Sequence, residues 1–145
     1  MSEFPRQLCT FHTANLFLGI DVMAVQEVLL VRELTRVSLA SATIEGLLNL
    51  RGQIVTTIDL RKRLGLPSVA ITQDTMFVIV SKDDEHVAFV VDGVGNVIDV
   101  DESTFELPPD NLPAHARGMI RGIHKLEGTL LHLLDPAMAS QLQAV

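Results

Sequence analysis

Apolar residues recur along the chain in short bursts, most of them with period two. Cys9 and Phe11 alternate with Thr10 and His12, and Leu16, Leu18 and Ile20 alternate with Phe17 and Gly19. The link Thr13-Ala14-Asn15 is short enough for a hairpin. Over 53–58, Ile54, Thr56 and Ile58 share one face, and Val55 and Thr57 the other. Met76–Val80 and Val87–Val91 are unbroken apolar runs joined by the polar stretch 81–86. They predict a hairpin buried on both faces with a charged tip. Val97–Val100, Ile120–Leu126 and Thr129–Leu134 predict further strands. Helical signals are few. Asp59 is placed to cap a helix Leu60–Leu64 that Gly65 and Pro67 close, and Asp135-Pro136 starts another with Met138 and Leu142 on one face. A single helical turn is expected at Asp21–Ala24 or Ala42–Glu45, and a loop at Leu107–Asn111, where two prolines remove ladder donors.

The chain repeats itself. GLLNLRGQIVTTID (46–59) and GIHKLEGTLLHLLD (122–135) align at an offset of 76, matching Gly46, Leu50, Gly52 and Asp59 to Gly122, Leu126, Gly128 and Asp135. Ile54, Val55 and Ile58 fall on Leu130, Leu131 and Leu134. Each copy reads as strand, glycine turn, strand, then an Asp-capped helix. A weaker echo relates 16–28 to 87–100, each a strand ending in Asp21 or Asp92 followed by a second strand. The expectation is an all-β fold of two small antiparallel barrels packed together, produced by internal duplication, with short helices including one near the C-terminus. The expected division is a first barrel at about 15–80 and a second at 81–145, within one domain spanning 1–145 and with strands exchanged at the termini.

Composition narrows the function classes. The 145 residues are 48% hydrophobic and 20% charged, too apolar for disorder. No apolar run reaches the roughly 18 residues of a membrane helix. No secretory signal is visible at the start, and the single Cys9 fits a reducing cytoplasm. The net charge of −7 is uneven: residues 74–110 carry ten acids and one base. An acidic chain without Trp or Tyr lacks the basic footprint and stacking platforms of a nucleic-acid binder.

Candidate chemistry is sparse. His12, His86, His115, His124 and His132 show no metal-ligand spacing, with His115 expected in a loop. The glycines of Asp92-Gly93-Val94-Gly95-Asn96 read as a turn or bulge rather than a phosphate cradle. Cys9 reads as a small buried hydrophobe, and Arg61-Lys62-Arg63 as a solvated helix face. An enzyme or small-ligand site between the barrels would draw on Asp59, His124 and His132. Arg51 stands out at the first glycine turn, where the second copy has Glu127, and Glu27 is its candidate partner.

Four blocks together resemble the CheW-like domain family of bacterial chemotaxis coupling proteins: GIDVMAVQEV (19–28), GLLNLRGQIVTTIDLRKRLGL (46–66), VAFVVDGVGNV (87–97) and GIHKLEGTLLHLLD (122–135). The resemblance runs from about Cys9 to Leu142. It implies two five-stranded, SH3-like β-barrels around a shared apolar core. It also implies a non-catalytic adaptor, without cofactor or metal, that couples transmembrane chemoreceptors to the histidine kinase CheA. The receptor's helical tip would enter the groove between the barrels, and the kinase's own CheW-like domain would dock end to end with one barrel. Val25, Glu27, Gly46, Asn49 and Arg51 fall on the family's receptor-binding surface, with Glu27 and Arg51 as an ion pair. Such a protein is cytoplasmic and is recruited to the inner face of the membrane through receptors. Adaptors of non-flagellar chemosensory pathways share the same resemblance. Two departures are visible: Thr56 replaces a common proline, and Asn96 replaces an acid.

Overall fold

The computed structural model describes residues 6–30, 44–67, 69–70, 72–82, 85–112 and 114–141. Its strands are β1 (Arg6–Thr13), β2 (Leu16–Asp21), β3 (Val25–Leu30), β4 (Ile44–Leu50), β5 (Gln53–Asp59), β6 (Met76–Lys82), β7 (Glu85–Val91), β8 (Gly93–Val100), β9 (Phe105–Glu106), β10 (Ile120–Leu126) and β11 (Thr129–Leu134). The helices are α1 (Leu60–Arg63), α2 (Ala114–Arg117) and α3 (Pro136–Ala139). Two sheets result, one of six strands in the order β8-β1-β2-β11-β10-β9 and one of five in the order β3-β6-β7-β5-β4.

The duplication is visible in the ladders. β4 pairs β5 with a register shift between Ile44 and Gly46, and β10 pairs β11 with one between Ile120 and Gly122, 76 residues on. β5 then runs parallel to β7, and β11 parallel to β2. Along the chain β1-β2-β3-β4-β5 therefore corresponds to β6-β7-β8-β10-β11. Each sheet combines a hairpin from one half with strands from the other: β1 and β2 join β8, β9, β10 and β11, while β6 and β7 join β3, β4 and β5. A cut after residue 80 falls inside the β6–β7 hairpin, and the N-terminal hairpin lies wholly in the six-stranded sheet.

Burial explains why the strands read as unbroken apolar runs. A shared core draws Phe11, Leu18, Ile20 and Leu134 from the six-stranded sheet and Ile58, Val78, Val80, Phe89 and Val91 from the other. Each sheet also curls over a smaller core of its own. Leu48, Leu50, Val55, Phe77, Ile79 and Ala88 fill one, and Leu8, Val100, Leu131 and Leu133 the other. Alternate residues of β6 thus serve different cores, so both faces of the strand are dry. The simple alternation expected at Cys9–His12 gives way to four consecutive buried residues, Leu8 to Phe11. The cause is the same as in β6: Leu8 faces the smaller core and Phe11 the shared one, so both faces of β1 are covered, while the register shift opposite Cys9 and Phe11 puts its extra residue on β8.

Asp59 caps α1 and Asp135 caps α3, each accepting a backbone N–H through its side chain. Asp21 caps a single 3-10 turn, Val22–Ala24. The alternative turn at Ala42–Glu45 does not form at its described end, because Ile44 and Glu45 open β4 while 42–43 lie outside the described residues. His115 lies on α2 rather than in a loop. Leu142 and the hairpin tip Asp83-Asp84 lie outside the described residues.

Candidate partner-binding site

The two-residue turn between β4 and β5 carries Arg51. Leu50 pairs with Gln53, and Arg51 and Gly52 both take left-handed backbone, at φ 50° and 85°. That conformation suits the twist of a tight hairpin. Glycine accepts it freely and arginine does not. The Oδ1 of Asn49 steadies the turn by accepting the Gly52 N–H at 3.0 Å.

From this strained position the guanidinium reaches β3, where its Nη2 donates to Glu27 Oε2 at 2.6 Å. The carboxylate holds the guanidinium proton more firmly than in an ordinary arginine, first through the hydrogen bond and then through its charge. The Arg51 side chain stays 65% exposed and that of Glu27 25%, so the pair presents the arginine outward. Glu27 itself is placed by a second bulge, at the β3–β6 register shift between Val25 and Glu27.

Of the five expected site residues, Glu27 and Arg51 are hydrogen-bonded to each other, and Asn49 braces the turn that carries Arg51 through the Gly52 N–H. Val25 is half-buried against the shared core. Gly46 is buried opposite Thr57 at the β4–β5 register shift.

A groove of about 500 Å³ begins beside this turn. Gln53, Ile54, Thr56 and Ile58 of β5 line it, with Glu85, His86 and Val87 of β7 and Ser140 at the end of α3. Ile54, across from Asn49, is 65% exposed and gives the groove an apolar wall. The sequence pattern placed Ile54 on a strand face with Ile58, and its membership in a groove depends on the α3 end, which no local pattern places.

The residues named for an enzyme or small-ligand site do not come together. Asp59 is buried and spends its carboxylate on the Lys62 N–H at 3.3 Å, at the start of α1. His124 is buried in the six-stranded sheet, bonded to the Thr104 hydroxyl at 2.8 Å and edge-on to Phe105. His132 sits on the neighbouring strand and meets the carbonyl of Phe17. His124 stands across from Leu131, and His132 across from Ile123, so the two rings occupy opposite faces. Among the described residues no three His, Cys, Asp or Glu side chains are grouped to hold a metal ion.

Arg61 and Arg63 are not a solvated face. Arg61 pairs with Asp92 at 2.6 Å, and Asp92 also accepts the Ala14 N–H of the β1–β2 turn at 2.7 Å. Arg63 donates to the carbonyls of Ala139 and Met138, at 3.2 and 3.1 Å. Arg61 thus reaches the link between β7 and β8, and Arg63 reaches the end of α3, which follows the other sheet. The sequence offered no signal for these long-range contacts.

The model for the CheW-like domain matches residues 7–143. The chain belongs to that family. The chemotaxis protein CheW of Bacillus subtilis strain 168 is 37% identical over 117 residues, covering 81% of this chain and 75% of that protein. The chemotaxis protein CheW of Treponema pallidum strain Nichols is 29% identical over 133 residues, covering 89% and 78%. The crystal structure of the scaffolding protein TtCheW from Thermoanaerobacter tengcongensis matches with a TM-score of 0.85 and 27% identity, over 98% of this chain and 97% of that one. The CheW-like fold therefore extends over both sheets and over the exchange of strands between them. No helix among the described residues is long and apolar enough to cross a membrane.

Proposed function

We propose that this CheW-like chain is a non-catalytic chemotaxis adaptor that couples transmembrane chemoreceptors to the histidine kinase CheA. Membership in the CheW-like family carries this reading. A bridge needs two separate faces and no reactive centre. The two sheets supply separate faces, and the best-placed acid and imidazoles are already committed to capping and packing.

The finer assignment concerns the receptor. Its cytoplasmic tip is a helical hairpin, and it seats beside Arg51, along the groove lined by Ile54 and Val87. Arg51 is the anchor of this surface, supported by Glu27 and by the Asn49-braced turn, with Val25 and Gly46 in the strands behind it. A planar guanidinium with a long apolar stem suits such an interface, since it binds carboxylates while covering apolar surface. The kinase's CheW-like domain takes a different face, and receptors draw the chain to the inner side of the membrane. Individual contacts need only modest strength, because an array raises effective concentration.

Binding to a soluble fragment bearing a chemoreceptor's cytoplasmic tip tests the receptor assignment. The parent chain should bind and Arg51→Glu should not, with both folded by thermal melting. Equal binding by the two refutes the assigned surface.

A further inference from the structure

The groove beside Arg51 is built from both sheets' elements, and one side chain, Arg63, ties the end of α3 to α1. Its strand side is β5 and β7, and its remaining lining is Ser140, the residue that ends α3. α3 follows β11 of the six-stranded sheet, whereas α1 follows β5 of the five-stranded one. α3 is a four-residue helix held at its start by Asp135 and buried through Ala139. Its last carbonyls, those of Met138 and Ala139, accept the Nη2 and Nε protons of Arg63 on α1. A guanidinium making two such bonds fixes direction as well as distance, since its donors form a rigid planar fork. Ser140 is the next residue, and its N–H and hydroxyl bond back to Pro136 and Ala137, so it moves with the helix end.

We propose that Arg63 is the positioning residue of this groove. By fastening the end of α3 to α1, it sets where Ser140 stands relative to Ile54, Thr56 and Val87, and so fixes the shape offered to the receptor tip. Arg63 acts through α3 and touches no partner. The inference rests on the reading of the groove as the receptor's seat. It extends that reading by assigning the seat's shape to a contact between the two sheets.

The test joins a distance to an affinity. Spin labels placed through Gln53→Cys and Gln141→Cys report the width across the groove, with the buried Cys9 left in place. Arg63→Ala should shift and broaden the distance distribution, and Arg63→Lys, which lacks the fork, should give an intermediate result. Affinity for the receptor-tip fragment should fall about tenfold in Arg63→Ala, a coupling of the ordinary size between a binding surface and a residue that does not touch the ligand. Affinity for the kinase's CheW-like domain should hold. An unchanged distance distribution overturns the proposal. So does a changed distribution with unchanged receptor affinity, or an equal loss for both partners, which would mark general destabilisation. If the parent chain fails to bind the receptor fragment, the receptor reading falls, while the distance measurement still decides whether Arg63 positions α3.

Discussion

Glu27 on β3 and Arg51 after β4 lie 24 residues apart and meet at 2.6 Å, joining the two outermost strands of the five-stranded sheet. The contact draws the sheet's ends toward each other over the core of Leu48, Val55, Phe77 and Ile79. The bond comes at the cost of a left-handed arginine at φ 50°. Strain of that kind, on an exposed side chain, is better explained by what the residue contacts outside the molecule than by what it adds to the fold.

Arg51→Gly should therefore keep or raise the melting temperature, because glycine relaxes the turn and an exposed ion pair adds little. Binding to the receptor-tip fragment should be lost all the same. Calorimetry and a binding titration check the two halves of this expectation. A large drop in melting temperature would make Arg51 a structural residue.

The exchange of hairpins predicts that neither half folds alone. Removing β1 and β2 strips Phe11, Leu18 and Ile20 from the shared core. At roughly 1.5–3 kcal/mol for each fully buried side chain, the loss is about 5–9 kcal/mol. That approaches the whole stability of an ordinary domain. Fragments 1–70 and 71–145 should each give the amide spectrum of an unfolded chain and should regain sheet structure when mixed. A folded spectrum from either fragment alone would contradict the exchange.

The pair of glycine-turn hairpins, their Asp-capped helices and the duplication were legible in sequence because each is local or repeats at a fixed offset. Gly46 and Gly122, 76 residues apart, now have a shared reason: each sits at a register shift. Which sheet takes each hairpin was not legible, for the opposite reason. The apolar patterns say that β1 and β6 are strands, but not which sheet receives them. The Arg63 bonds to α3 span 75 and 76 residues and leave no local trace. Arg51 and Glu27 were legible through the family motif, and spacing alone would have left them one pairing among several.

Gly122 gives a direct packing test. A Cβ there would drive into the ring of Phe105 and stand 2.9 Å from the Glu106 carbonyl oxygen. Gly122→Ala should destabilise by about 2–3 kcal/mol through overpacking. The urea midpoint measures it. A midpoint equal to the parent's would mean that β9 yields freely.

His124 predicts the pH dependence of stability. Burial lowers its pKa below the ordinary 6.5, the charge of Arg6 adds to this, and Asp101 opposes it. The unfolded chain thus binds the proton more readily than the folded one, so stability rises with pH. His124's contribution is complete above about pH 6.5 and is lost as pH falls toward the depressed folded value. Asp101, held below the usual carboxylate range by the Ser103 hydroxyl and then its N–H, acts at lower pH. His124→Phe should flatten the stability–pH slope below about pH 6.5. An unchanged slope would assign it to other groups.

The central claim, that one chain holds receptor and kinase together, is tested most directly by titrating it into fixed amounts of chemoreceptor and CheA and recording kinase autophosphorylation. A bridge predicts activity that requires the chain, rises with it and declines in excess, when single molecules occupy each partner separately. Activity that is the same without the chain would contradict the account.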